Sequence, residues 1–363
     1  MKTSKINKKK LIMLFGIFPV AAAAKMFQYI FLSSKYFIDS NKILSIMNGN
    51  SGEYGESFHL VADFFGHINI FGLNTLLGWS IYLAMILNII LFIVLLKMPN
   101  LKKNDFIYIY LGVFVVNVFA FNLNKEVVQF LIFLAIFLVI KNKNHPNNRK
   151  AIIAVGLILL ESLLFRSYYV LLAVSFSMVY YLLRSSIERK KNKRFVITTA
   201  IAAILFLIVL YVSKYIMPSM YSELLNVRNG YEYGLADANT LIRNVFRGGD
   251  SFMAYSLNYI INTIRIIFPI ELLLRGGIYI FFVAYQLFNL SIIIKSTKKL
   301  SSNNILFVSL LIGYLLLSGT YEPDFGSVIR HESVLLLFFI GASCYSAQRV
   351  NVRAGTEGEN GTK

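Results

Sequence analysis

A chain of 363 residues that is 57% hydrophobic and 15% charged has too little polar surface for a soluble fold, where about 25% charge is usual. Its formal charge of +18 sits in short basic clusters between apolar runs, the pattern of membrane topology rather than of a nucleic-acid surface, so nucleic acid is excluded as a partner. One cysteine, Cys344, allows no intrachain disulfide, and His59, His67, His145 and His331 show no zinc spacing.

In chain order the apolar runs are Leu11–Leu32, Leu73–Leu96, Phe106–Phe121, Val127–Ile140, Ala151–Phe165, Tyr168–Leu183, Phe195–Tyr215, Gly277–Ile294, Ile305–Ser318 and Ser333–Tyr345. They predict an all-α, polytopic integral membrane protein of about ten transmembrane helices, the shorter runs extending into polar flanks to approach the ~20 residues of a full crossing. An eleventh stretch, Tyr255–Leu274, carries Asn258, Asn262, Arg265, Pro269 and Glu271. A charge at mid-bilayer costs roughly 2.5–3.5 kcal/mol, and a span here would place Lys295, Lys298 and Lys299 outside, so the stretch is expected to be re-entrant or interfacial. With ten spans both termini are cytoplasmic. The inner side then holds 24 of the 36 Lys/Arg and 4 of the 18 Asp/Glu, leaving 12 and 14 for the outer side and the membrane, the asymmetry that the positive-inside rule requires.

The expected organisation is one transmembrane bundle over residues 1–353, with long outer loops at 33–72 and 216–276, and a polar, disordered tail at 354–363. Lysines followed by Leu11–Val20 and Ala21–Ala24 also resemble a signal peptide, but the apolar run continues through Met26–Leu32, which favours a retained span. Inner loops are short and basic, and no P-loop or Gly-rich dinucleotide motif is present.

Candidate chemistry gathers on the expected outer side, where ionisable groups near the membrane are functional candidates by default. Asp63 and His67 lie four apart ahead of the second span. In Asn122-Leu-Asn-Lys125-Glu126, Asn124 could cap a helix and Glu126 suits its positive end, whereas Lys125 opposes the dipole unless an anion binds there. Glu161 and Arg166 flank a tight turn. The long loop carries Arg228, Arg243, Arg247, Arg265 and Arg275, with Arg243 and Arg247 four apart. Guanidinium forks match phosphate oxygens, and the alternative is internal balance by Glu223, Glu232, Asp237 and Asp250. The last outer loop brings together Glu322, Asp324, Arg330, His331 and Glu332, proton acceptors beside a cation, or else a surface loop of mixed charge. No acidic cluster suggests a metal site.

The many spans, the arginine-bearing outer loop, the Asn-Leu-Asn-Lys125-Glu126-Val-Val-Gln-Phe-Leu segment, the Arg243/Arg247 spacing and Arg330 ahead of an aromatic-rich last span resemble the Wzy-type and EpsG-like bacterial polysaccharide polymerases. That resemblance implies polymerisation of polyprenyl-diphosphate-linked oligosaccharide repeat units on the outer face of the cytoplasmic membrane. It needs no cofactor; its partners would be the lipid-linked oligosaccharide, membrane lipid, a flippase and a chain-length regulator. His331 or Glu126 would be the catalytic base, and Arg166, Arg243, Arg247, Arg265, Arg330 and Lys125 would bind diphosphate or acidic glycan. Two other classes fit the composition: a polyprenyl-phosphate-sugar glycosyltransferase with Asp63 as base, and a lipid-linked-glycan flippase or transporter.

Overall fold

A computed structural model of the protein describes residues 8–50, 52, 54–99, 101–188, 195–234, 240–246 and 251–346. The polar tail at 354–363 and Arg247 lie outside the described residues. Among the described residues the regular structure is all helical, joined by turns and short loops, with one isolated antiparallel bridge between Leu241 and Asp324. The chain divides into two compact units, one formed by Met1–Leu134 with Arg330–Leu336 and the other by Ala135–Ile329 with Leu337–Lys363.

The first unit holds α1 (Lys8–Phe15), α2 (Ile17–Phe31), α3 (Ile38–Met47), α4 (Glu56–Ile68), α5 (Leu76–Leu96), α6 (Lys103–Phe119) and the start of α7 (Lys125–Lys141). Here α2 packs on α5 and α6, and α3 on α4. Gly16, between α1 and α2, allows a close approach, because a Cβ there would stand 2.7 Å from the Tyr110 hydroxyl on α6. The start of α5 is set by Thr75, whose Oγ1 accepts from the Gly78 amide at 3.2 Å. The outer loop expected at 33–72 is therefore largely helical, as α3 and α4.

The second unit continues α7 and adds α8 (Asn147–Leu164), α9 (Tyr169–Glu188), α10 (Phe195–Ile216), α11 (Pro218–Gly234), α12 (Phe252–Ile267), α13 (Ile280–Lys298), α14 (Ile305–Tyr321), part of α15 (Phe325–Ser333) and most of α16 (Leu336–Ser346). Its centre is α14, buried along nearly its whole length and packed on α9. At Gly313 a Cβ would come within 2.9 Å of the Phe176 backbone nitrogen, and the Ser175 hydroxyl donates to the Gly313 carbonyl at 3.1 Å. A small residue and a hydroxyl across a helix pair are how membrane helices pack closely without a hydrophobic drive between them.

Each of the ten apolar runs coincides with one or two helices. Among the described residues, five helical stretches are long and apolar enough to cross a membrane: Lys8–Phe31, Leu76–Leu96, Tyr169–Ile187, Thr199–Ile216 and Ile280–Lys298. A sixth arises if α15 and α16, bent by 62° to one another, count as one broken span. The ambiguous stretch forms α12, which turns Asn258, Tyr259, Asn262 and Ile266 inward and stops at Phe268–Pro269, ahead of a short tight helix at Ile270–Arg275. It is not among the helices that could cross.

Candidate functional site

In the first unit, Glu126 stands in the first turn of α7 and is almost wholly buried. His331, also buried, brings Nε2 to 3.1 Å from Glu126 Oε1. Arg330 brings Nε to 3.4 Å from the same oxygen, and its NH1 reaches Asp39 Oδ2 on α3 at 3.3 Å. One carboxylate thus receives an imidazole and a guanidinium, and the guanidinium bridges to a second carboxylate. Beside Glu126 in sequence, Lys125 donates to Ser57 Oγ at 2.7 Å, and its ammonium lies 3.6 Å from the centre of the Phe58 ring, with the Lys42 ammonium 5.2 Å from the same centre. Both partners come from α4, so α3 and α4 supply Asp39, Lys42, Ser57 and Phe58. Four of the sequence candidates, Lys125, Glu126, Arg330 and His331, therefore share one compact unit.

The second unit holds Arg166 and the described arginines of the long loop. Arg265 grips Glu271 with both prongs, Nε to Oε2 at 2.8 Å and NH2 to Oε1 at 2.6 Å, and its NH1 donates to the Arg243 carbonyl at 2.7 Å. Arg275 shares the same Glu271 at 2.9 Å and donates to the Leu241 carbonyl at 2.9 Å. Buried Arg228 donates to the carbonyls of Glu322 and Ile242 and to Asn244 Oδ1. The Arg243 side chain is exposed. Arg166 lies 5.8 Å from the centre of the Tyr169 ring. Near it, Glu161 is buried, and among the described residues its Oε2 has no hydrogen-bond partner.

Asp63 sits on the exposed side of α4, and His67 Nδ1 donates to its main-chain carbonyl at 2.7 Å rather than to its carboxylate. Among the described residues no group of three or more His, Cys, Asp or Glu side chains is placed to hold a metal ion.

Sequence reasoning passed over Lys25. It lies inside the first candidate span and is nine-tenths buried. Its ammonium donates to the carbonyls of Asn117 at 2.7 Å and Phe121 at 2.6 Å, and to Asn122 Oδ1 at 2.8 Å, with Gln28 Oε1 at 3.3 Å. The available signal was a lone lysine in an otherwise apolar run, where a charge calls for a named partner. Lys25 and Asn88 also border an apolar cleft of about 590 Å³ whose other lining residues come from α2 and α5.

Compared with protein-family models, with curated proteins and with solved structures, the chain matches none of them.

Proposed function

We propose that the protein polymerises polyprenyl-diphosphate-linked oligosaccharide repeat units into polysaccharide on the outer face of a bacterial cytoplasmic membrane, through about ten crossings and with both termini in the cytoplasm. The observation that carries this reading is the His331–Glu126 contact at 3.1 Å with Arg330 alongside. An imidazole that donates Nε2–H to a carboxylate keeps the lone pair of a general base on Nδ1, and the carboxylate stabilises the cation formed when that base takes a proton.

In this reading the acceptor hydroxyl of one lipid-linked unit attacks the anomeric carbon of the growing chain. The bond between that carbon and the diphosphate oxygen breaks. The hydroxyl proton passes to His331, and polyprenyl diphosphate leaves with the bonding pair. Arg330 and Lys125 offset the charge that builds on the leaving diphosphate. The apolar cleft beside α2 has a lining suited to a hydrocarbon tail.

The test is polysaccharide size analysis in a strain lacking the chromosomal copy and carrying His331→Ala, Glu126→Gln or Arg330→Ala. The expected result is loss of long polymer with single lipid-linked units accumulating. Polymer of normal length in all three would overturn the proposal. Loss of one sugar from each unit, at unchanged length, would point instead to a glycosyltransferase that builds the unit.

A further inference from the structure

Lys25 is a cation inside a candidate span, and all four of its partners are uncharged oxygens. A span that needed only to pack would carry Leu or Met there. The partners show what the charge does. The amide of Phe121 bonds back to the Val116 carbonyl at 2.8 Å, five residues away, instead of to Asn117. This frees the Asn117 carbonyl at the end of α6, and Lys25 takes it. The Phe121 carbonyl, beyond that end, goes to the same ammonium. Terminal carbonyls need such donors, and the negative end of a helix dipole favours a cation.

The turn that follows is held from other directions. Asn122 Oδ1 accepts from Lys25 and from Ser80 on α5 at 3.1 Å, and Asn124 Nδ2 donates to the Phe119 carbonyl at 3.1 Å. One turn back, Asn117 and Asn88 of α5 exchange amide hydrogen bonds at 2.8 and 3.1 Å. Immediately after this pinned turn come Lys125 and Glu126.

We infer that Lys25 is the positioning residue of the Glu126–His331 site: its buried ammonium ends α6 and fixes the turn that presents Glu126 to His331. The inference rests on the proposed role of that pair, and the experiment separates the two. Amide hydrogen exchange is measured on the full-length protein in lipid bilayers for wild type, Lys25→Met, Lys25→Arg and Ser80→Ala. Polymer formation is followed on the same samples. Lys25→Met should speed exchange at Ala120–Asn124 at least tenfold while α9 and α14 keep their rates, and should lower kcat with little change in KM. Lys25→Arg should restore both, and Ser80→Ala should fall between.

Unchanged exchange in the turn of Lys25→Met would overturn the inference. So would faster exchange throughout the unit, which would make Lys25 a general packing residue, or full polymer formation despite a loosened turn. If Lys25→Met does not fold, Ser80→Ala and Asn122→Ala carry the same comparison, and wild-type exchange in both would overturn it. Normal polymer from Glu126→Gln would defeat the proposed reaction, while the exchange result would still decide whether Lys25 sets the turn.

Discussion

Glu271 and Glu126 each draw basic side chains, and the two clusters are built differently. Glu271 takes a two-pronged grip from Arg265 and a second guanidinium from Arg275, and both arginines also bind main-chain carbonyls, of Arg243 and Leu241. Those contacts tie residues 241–243 to the segment that follows α12. Glu126 takes an imidazole at 3.1 Å and the Nε of a guanidinium at 3.4 Å, and that guanidinium also reaches Asp39 at 3.3 Å. Its imidazole partner has a ring nitrogen that can accept a proton, whereas a guanidinium has donors and no acceptor. Forks that close on carboxylates and carbonyls hold a loop in shape. A carboxylate that orients an imidazole is equipped for proton transfer. The number of arginines in a loop is therefore a poorer guide to a site than what each one grips.

The sharpest way to break this contrast is to substitute both carboxylate clusters and compare. Glu126→Gln or His331→Ala should lower the polymerisation rate on the order of 10²–10⁴-fold, the usual contribution of a general base, measured as chain extension per unit time at unchanged thermal stability. Arg265→Ala should do the opposite. It should cost about 1.5–3 kcal/mol of stability, the usual worth of hydrogen bonds to charged groups, read by thermal unfolding in detergent, while polymer length is kept. Rate loss in Arg265→Ala without loss of stability would place the second cluster in the reaction.

Two smaller effects refine the picture. Arg330→Lys keeps the charge but loses the fork that spans Asp39 and Glu126, and should slow extension about tenfold, equivalent to about 1.4 kcal/mol. Lys125→Gln removes the ammonium over Phe58, a contact worth about 0.5–1 kcal/mol. It should lower kcat for the lipid-linked unit roughly two- to fivefold with little change in KM, in a titration of substrate in vesicles.

The helices were largely legible in the sequence, because apolar runs between basic clusters are a direct consequence of a hydrocarbon solvent. Each run from Leu11–Leu32 to Ser333–Tyr345 is helical. The break within the last run, between α15 and α16, was not legible, since Ser333-Val-Leu-Leu carries no Pro or Gly to announce it. Helices α3 and α4 were read as loop because their hydrophobicity is modest. The site was half legible. Glu126, His331, Arg330 and Lys125 stood out by charge near an expected membrane surface, but Asp39 and Phe58 reach them only through folding. Lys25 was hidden for a similar reason, as its main partners are main-chain carbonyls distant in sequence, which leave no mark in the residue pattern. The contacts of the loop arginines were not legible either: Arg228, Arg265 and Arg275 donate to carbonyls and a carboxylate of their own unit, partners that only folding brings to them.

The measurement that bears most directly on the proposed reaction is the length distribution of glycan made by purified protein in phospholipid vesicles supplied with one polyprenyl-diphosphate-linked repeat unit. Long chains from wild type and Arg265→Ala, with unextended units from His331→Ala, are the expected result. Chains of equal length from wild type and His331→Ala, or no extension by wild type at all, would contradict it.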